Sequence, residues 1–291
     1  MFTRDSKILR RELTVPITSI SRAIGDVFDS AFNKLIQSLF ANNEQGFFYD
    51  PNDMGTMFRD SAGTIPVTGA GQAVGLIRDK SGRGNHARQT NSASRPILRQ
   101  NAITGAYYLE FDGSDDFFVT NSIDFTGTDK VSLFAGVRKL SDAGTGILCE
   151  LSSSSDSIVN KGSFTLGAPY AHTGYGFQTL GTGSRGGVRT NGSAPTTDVI
   201  SGLLNLAATS PLVAIRPKRN GQYEFLAFGG TDGVGGNFGN YPLYIGRRGG
   251  IVNSFYGHIY GLIGIGKLTS DDETAAIEKE LAKRTGVTLN V

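Results

Sequence analysis

Apolar positions in the first 45 residues recur at helical spacing. Ile17, Ile20, Ile24, Val27, Ala31, Leu35 and Leu39 follow one another at steps of three or four, which places them on one helix face. Pro16 stands just before the run, where a helix start tolerates it. Phe28, Phe32, Ile36 and Phe40 widen the stripe, and Arg22, Asp26, Asp29 and Lys34 mark the opposite side. So much apolar surface must be covered by the rest of the chain or by another chain. The expectation favours the second: residues 1–45 form a helical segment for self-association or for docking on a larger assembly.

Beyond residue 105 the period changes to two. Tyr107, Leu109 and Phe111 alternate with Tyr108 and Glu110, and Val131, Leu133, Ala135 and Val137 repeat the pattern. Segments 146–151, 163–166, 211–216, 222–228 and 241–246 are further strand candidates. Ile259, Ile263 and Ile265 are expected on one face of a last long strand. Asn220-Gly221 between two candidates is a hairpin signal, since both residues tolerate positive φ. Val199–Ile215 is uncharged but interrupted by Asn205, Thr209 and Pro211, and it is shorter than a membrane span. It reads as a short helix or loop leading into a strand. At the end, Ser270 and Glu273 form a capping-box pair, and Gly286 sits where a helix stops. The predicted architecture is mainly β. Residues 46–291 form a two-sheet antiparallel jelly-roll sandwich, preceded by an N-terminal amphipathic helix and closed by a short C-terminal one.

Composition sharpens the boundary. Gly accounts for 40 of 291 residues, about twice the usual ~7%, yet only Gly25 falls in the first 45. Such glycine suits tight turns between strands. Charge changes the picture less: 28 Lys+Arg against 26 Asp+Glu leave +2, so no global field draws the chain to nucleic acid or to an anionic membrane. The opening MFTRDSKILRRELTV lacks the apolar run of a secretory leader. A single Cys excludes a disulfide framework and a Cys-based metal site, and His86, His172 and His258 lie too far apart for a recognisable ligand motif.

Candidate chemistry is sparse. Glu110, Asp112, Asp115 and Asp116 are the nearest approach to the paired carboxylates of a glycosidase, but the last two follow Gly113 in what reads as a turn. Asp79, Asn85, Asp112 and Asp115 could supply oxygens to Ca²⁺, which wants six to eight of them. Loop-closing hydrogen bonds are the plainer role for the same residues, and no other cofactor is expected. Residues 78–99 carry Arg78, Lys80, Arg83, Arg88, Arg95 and Arg99 against Asp79 alone. That charge could meet phosphate on a surface polysaccharide or an acidic subunit face. Without interleaved aromatics it does not suggest nucleic acid. Tyr170, Tyr175 and Phe177, in the glycine-rich PYAHTGYGF, could form an aromatic platform for a sugar or pack into the core.

An ordered set of motifs adds a family. Tyr49-Asp50-Pro51, the Phe58–Thr64 segment FRDSAGT, Asp79-Lys80-Ser81-Gly82 with Gly84-Asn85-His86-Ala87, the Leu109–Asp116 segment LEFDGSDD, and Gly257–Gly266 before the terminal helix occur in this order. Over residues 42–288 the chain resembles the laminin-G-like (concanavalin A-like) jelly-roll proteins of tailed bacteriophages. The resemblance implies a non-enzymatic virion protein, made in the host cytoplasm and carried in the tail or a fibre, with an adhesin-like domain for host-surface polysaccharide. It implies a homo-oligomer, most simply a trimer, whose N-terminal helix also meets other virion proteins. A head decoration or head-fibre protein is the alternative placement, and a glycan-degrading enzyme the alternative of another class. Neither nucleic acid nor membrane insertion is expected.

Overall fold

The computed structural model describes residues 32–153, 160–170, 173–182, 185–208, 214–227 and 235–290. Among these, strands numbered in chain order form two antiparallel sheets. The first runs β15 (Gln222–Tyr223), β14 (Ile215–Arg219), β13 (Thr196–Asn205), β8 (Lys130–Lys139), β18 (Tyr256–Ile265), β6 (Tyr107–Asp112) and β5 (Ile97–Gln100). An eighth strand, β1 (Gly46–Tyr49), shares the β18 edge with β6: β6 pairs with residues 256–259 and β1 with 262–265. The second sheet has ten strands. They run β16 (Leu226–Ala227), β12 (Arg185–Arg189), β11 (Gly176–Leu180), β10 (Ser163–Gly167), β9 (Ile147–Leu151), β17 (Asn240–Ile245), β7 (Phe118–Asp124), β4 (Ala87–Arg88), β3 (Leu76–Ile77) and β2 (Met57–Phe58).

The main core lies between the sheets. It takes alternate residues of each strand, such as Leu109 and Phe111, Val131, Leu133 and Val137, Phe164 and Leu166, and Phe177. A second core covers the outer face of the eight-stranded sheet. There Phe48, Phe134, Val199, Ile263 and Ile265 meet Ile277, Leu281 and Ala282 of the C-terminal helix Asp271–Thr285, and Phe32, Ile36, Leu39 and Phe40 of the helical residues 32–39 and the turn after them. The fold is therefore a β-sandwich with helices at both chain ends laid on one sheet. No helix among the described residues is long and apolar enough to cross a membrane.

Several local expectations hold. Ser270 and Glu273 exchange both capping-box bonds, and Gly286 closes the helix at φ 78°. Asn220 (φ 54°) and Gly221 (φ 85°) turn β14 into β15. Other expectations are corrected. Val199–Asn205 is the last seven residues of strand β13, not a helix or loop. It is apolar on both sides because Ile200 faces the main core and Val199 the second one. In β18 a register shift between Ile259 and Gly261 reverses the phase. Ile259 therefore points into the main core while Ile263 and Ile265 face the helices.

The apolar stripe divides in the same way. Leu39 is fully buried in the chain's own second core and the partly buried Leu35 packs against it, so these two pack on the chain's own domain. Ile17, Ile20, Ile24, Val27 and Ala31 lie outside the described residues.

Candidate functional site

The acidic positions separate into two loops. Asp79 is spent on loop closure. Its Oδ1 accepts the Phe48 and Ser81 N–H groups (2.9 and 2.8 Å), and its Oδ2 accepts the Ser81 hydroxyl and the Asn85 N–H (2.6 and 3.0 Å). Asn85 in turn donates to Gln45 Oε1 and the Gly46 carbonyl. Asp112 and Asp115 belong elsewhere, in the turn between β6 and β7, where with Asp116 they form a carboxylate group within 4.8 Å. Thus the four residues expected to share a Ca²⁺ are not brought together. Asp112 Oδ1 accepts the Ser114 and Asp115 N–H groups, and Ser94 donates its hydroxyl to Asp115.

Asp116 has a measurable consequence. Burial, and then the Asp112 charge, push its carboxyl up to about 7, partly offset by the N–H of Asp112. The folded state then holds this proton more tightly than the unfolded chain, whose carboxyl titrates near 3.9. The stability it contributes is complete below about pH 4 and is lost as the pH rises towards 7. Asp116→Asn should stabilise the protein by about 1–4 kcal/mol at pH 8 and by little at pH 4. Urea unfolding at the two pH values checks this; an equal effect at both would refute it.

The basic and aromatic candidates scatter. Arg95 donates to the carbonyls of Gln89, Arg59 and Thr90 (3.1, 2.9 and 3.2 Å), which pins three loop segments. Arg83 donates to Asn43 Oδ1 and to the Phe40 carbonyl. Arg99 lies on the eight-stranded sheet, with Nε and Nη2 both on Glu110 Oε1 (3.1 and 3.0 Å). Tyr175 and Phe177 have no exposed surface and belong to the main core, so neither offers a face to a sugar. Strand alternation buries them: each stands on the inward side of its segment.

Tyr170 is different. Phe164, Leu166, Phe177 and Val188 fill the main core, so their strand neighbours Thr165, Gly167, Gly176, Gln178 and Arg189 project from the opposite face of the ten-stranded sheet. Gly167 and Gly176 are directly paired, and Gly176 pairs with Arg189 on its other side. The Tyr170 side chain lies across the two glycines: a Cβ on either would come within 2.4 or 2.5 Å of it. The glycines thus make a floor on which the half-buried ring rests. Its hydroxyl donates to Gln178 Oε1 at 2.5 Å.

Beneath the ring edge is a buried ion pair. Arg248 Nε and Nη2 reach Glu150 Oε2 at 2.9 and 2.7 Å, and Thr165 donates its hydroxyl to the same oxygen at 2.8 Å. Burial alone would depress the Arg248 guanidinium; Glu150 and the Tyr170 hydroxyl outweigh it and raise it. Arg189 extends the row from Gly167 and Gly176 to Leu226, which is 41% exposed. Its Nη1 is buried and has no hydrogen-bond partner among the described residues. Arg88 is exposed on the same face. Three strand steps separate it from Glu150, through Val119 and Tyr244, or about 14 Å.

The arrangement is a fixed aromatic plate with a hydrogen-bonding rim, one guanidinium beside it and an apolar edge. It suits recognition of a ring with polar substituents. Of the seven sugar-site candidates read from sequence, this face holds Tyr170 and, at its margin, Arg88. Sequence reading missed Gly167, Gly176, Gln178, Arg189 and the Glu150–Arg248 pair.

Neither a protein-family model nor a curated protein sequence matches the chain. Solved structures do resemble it. One is the binding domain of botulinum neurotoxin DC in complex with SialylT, at 12% identity and TM-score 0.50, covering 80% of this chain and 52% of that one. A second is of botulinum neurotoxin type C, reported for its interaction with two ganglioside molecules, at 10% identity and TM-score 0.50, covering 82% and 52%. The CBM40 of a Ruminococcus gnavus sialidase bound to sialyllactose follows at 13% identity and TM-score 0.39, covering 52% of this chain and 83% of that one. The chain spans about half the length of the toxin domains. At these identities the likeness establishes the β-sandwich fold and nothing finer.

Proposed function

We propose that the chain is a non-enzymatic subunit of a tailed-phage virion, of tail or fibre type, whose sandwich binds host-surface glycan at the Tyr170 face. The observation that carries the binding is the Tyr170 ring, held across the Gly167–Gly176 pair and pinned through its hydroxyl. A plate fixed before the ligand arrives has little side-chain entropy left to lose. Fold likeness to a toxin binding domain in complex with SialylT and to a toxin that interacts with two ganglioside molecules supports a sugar ligand by analogy. The virion setting rests on the motif order, from Tyr49-Asp50-Pro51 to the Gly257–Gly266 strand. Oligomerisation through residues 17–31 belongs to the same reading, and it would multiply weak single sites.

The test is binding of the full chain to a glycan array. Tyr170→Ala should weaken binding by roughly tenfold, the worth of one stacked aromatic, when binding is read well below the variant's own melting temperature, which the lost packing and hydroxyl bond lower. Equal binding by the variant and the parent would sink the Tyr170 site.

A further inference from the structure

The Tyr170 face carries a charge that the protein leaves unbalanced. Its deeper cation, Arg248, is neutralised by Glu150 at 2.7 Å. Two further carboxylates, Asp198 on β13 of the other sheet and Glu224 between β15 and β16, are both held by Arg219, at 3.0 and 2.8 Å. Arg189 forms no ion pair among the described residues, and its Nη1 is shielded from water without a hydrogen-bond partner. A shielded guanidinium nitrogen with no acceptor is costly unless an acceptor arrives. Strand pairing puts Arg189 directly beside Gly176, on which Tyr170 rests.

We infer that this site takes glycans bearing an anionic substituent, with the sugar ring against Tyr170 and the anion on Arg189. The inference rests on the glycan-binding reading above and names the ligand class for it. The geometry suits a carboxylate or a phosphate ester, since a guanidinium presents paired N–H donors to either. A ring substituent reaching one strand step, about 5 Å, spans the distance from the glycine floor to the neighbouring strand. Leu226, beyond Arg189 in the same row, gives the ligand an apolar edge to rest against.

The probe is an array of neutral, uronic-acid-containing and phosphorylated oligosaccharides, read with the full-length protein at low and high salt. The parent should bind anionic members about 10–100-fold tighter than matched neutral ones, the range of a charge-assisted hydrogen bond, and salt should narrow the gap. Arg189→Gln should erase the preference, bringing anionic ligands down to the level of their matched neutral ones, while Arg189→Lys should keep part of it. Comparing the uronic and phosphorylated arms identifies which anion is recognised. Equal binding of neutral and anionic members by the parent would overturn the inference and leave the glycan-binding reading standing. So would an Arg189→Gln variant that is as stable as the parent yet loses all members alike. Binding to no member of the array would overturn both.

Discussion

A chain cut to residues 46–291 is expected to lose its cooperative thermal transition, whereas one cut to 32–291 should melt close to the full chain. Residue 45 is where glycine content changes, but the second core does not stop there. Phe32, Ile36, Leu39 and Phe40 are each at most 6% exposed, and they sit against Phe48, Ile263 and Ile265. Phe32 meets Phe48 edge-on at 5.7 Å between ring centres. Burial of each such side chain is worth about 1.5–3 kcal/mol, so removing four costs about 6–12 kcal/mol as an upper figure. A domain of this kind holds about 5–15 kcal/mol in all. The shorter cut also strips Arg83 of its acceptors at Phe40 and Asn43. Circular dichroism melts and gel filtration of the two truncations decide the matter. Matching melts for both would show that the N-terminal turns only decorate the sheet.

The same residues show why a helical stripe can be legible while what covers its last two positions, Leu35 and Leu39, is not. Period and large side chains fix that the face must be covered, and not by what. Leu39 is covered by its own sheet because β18 carries Ile263 and Ile265 outward, and that depends on the register shift near Tyr260. An alternation count has no means of seeing a bulge. Where sequence and structure agree, the cause is local: the Ser270–Glu273 cap, the Asn220-Gly221 turn and the Asp79 loop are each closed by residues within a few positions.

The candidate site is the opposite case. Tyr170 stood out as an aromatic among glycines, but the same signal selected Tyr175 and Phe177, which strand alternation turns inward. Gly167, Gly176, Arg189 and Leu226 become one row only through the β10–β11–β12–β16 pairings. Arg189 lies well outside the basic stretch at 78–99, and four of that stretch's members, Lys80, Arg83, Arg95 and Arg99, are held by carboxylates or other acceptors.

Replacing Lys139 by Met should lower both stability and glycan binding, although the residue lies in the core. Lys139 has no exposed surface. Its ammonium reaches Asp142 Oδ1 and the Gly192 carbonyl at 2.6 Å each, donates also to the Thr173 carbonyl, and sits 5.2 Å from the centre of the Tyr175 ring. It therefore ties the segment after Tyr170 to the turn after Arg189. Burial depresses its pKa, and the Asp142 contact works against that shift. Tyr175 belongs to the adjoining network, donating its hydroxyl to Asp198 at 2.8 Å. Methionine fills similar volume but supplies no donor, leaving Asp142 without its cation and two carbonyls without their bond. Breaking a buried pair costs about 3–5 kcal/mol. Asp142 keeps 20% side-chain exposure, which favours the low end. A loss near 3 kcal/mol corresponds to roughly 5–10 °C in Tm for a domain of this size. In an Asp142→Asn background the same substitution should cost less, because no charge is then stranded. Glycan binding should fall in the single variant even well below its Tm, since Thr173 is released beside Tyr170. A double-mutant cycle with additive losses, or unchanged binding by folded Lys139→Met protein, would show that the tether does not hold the site.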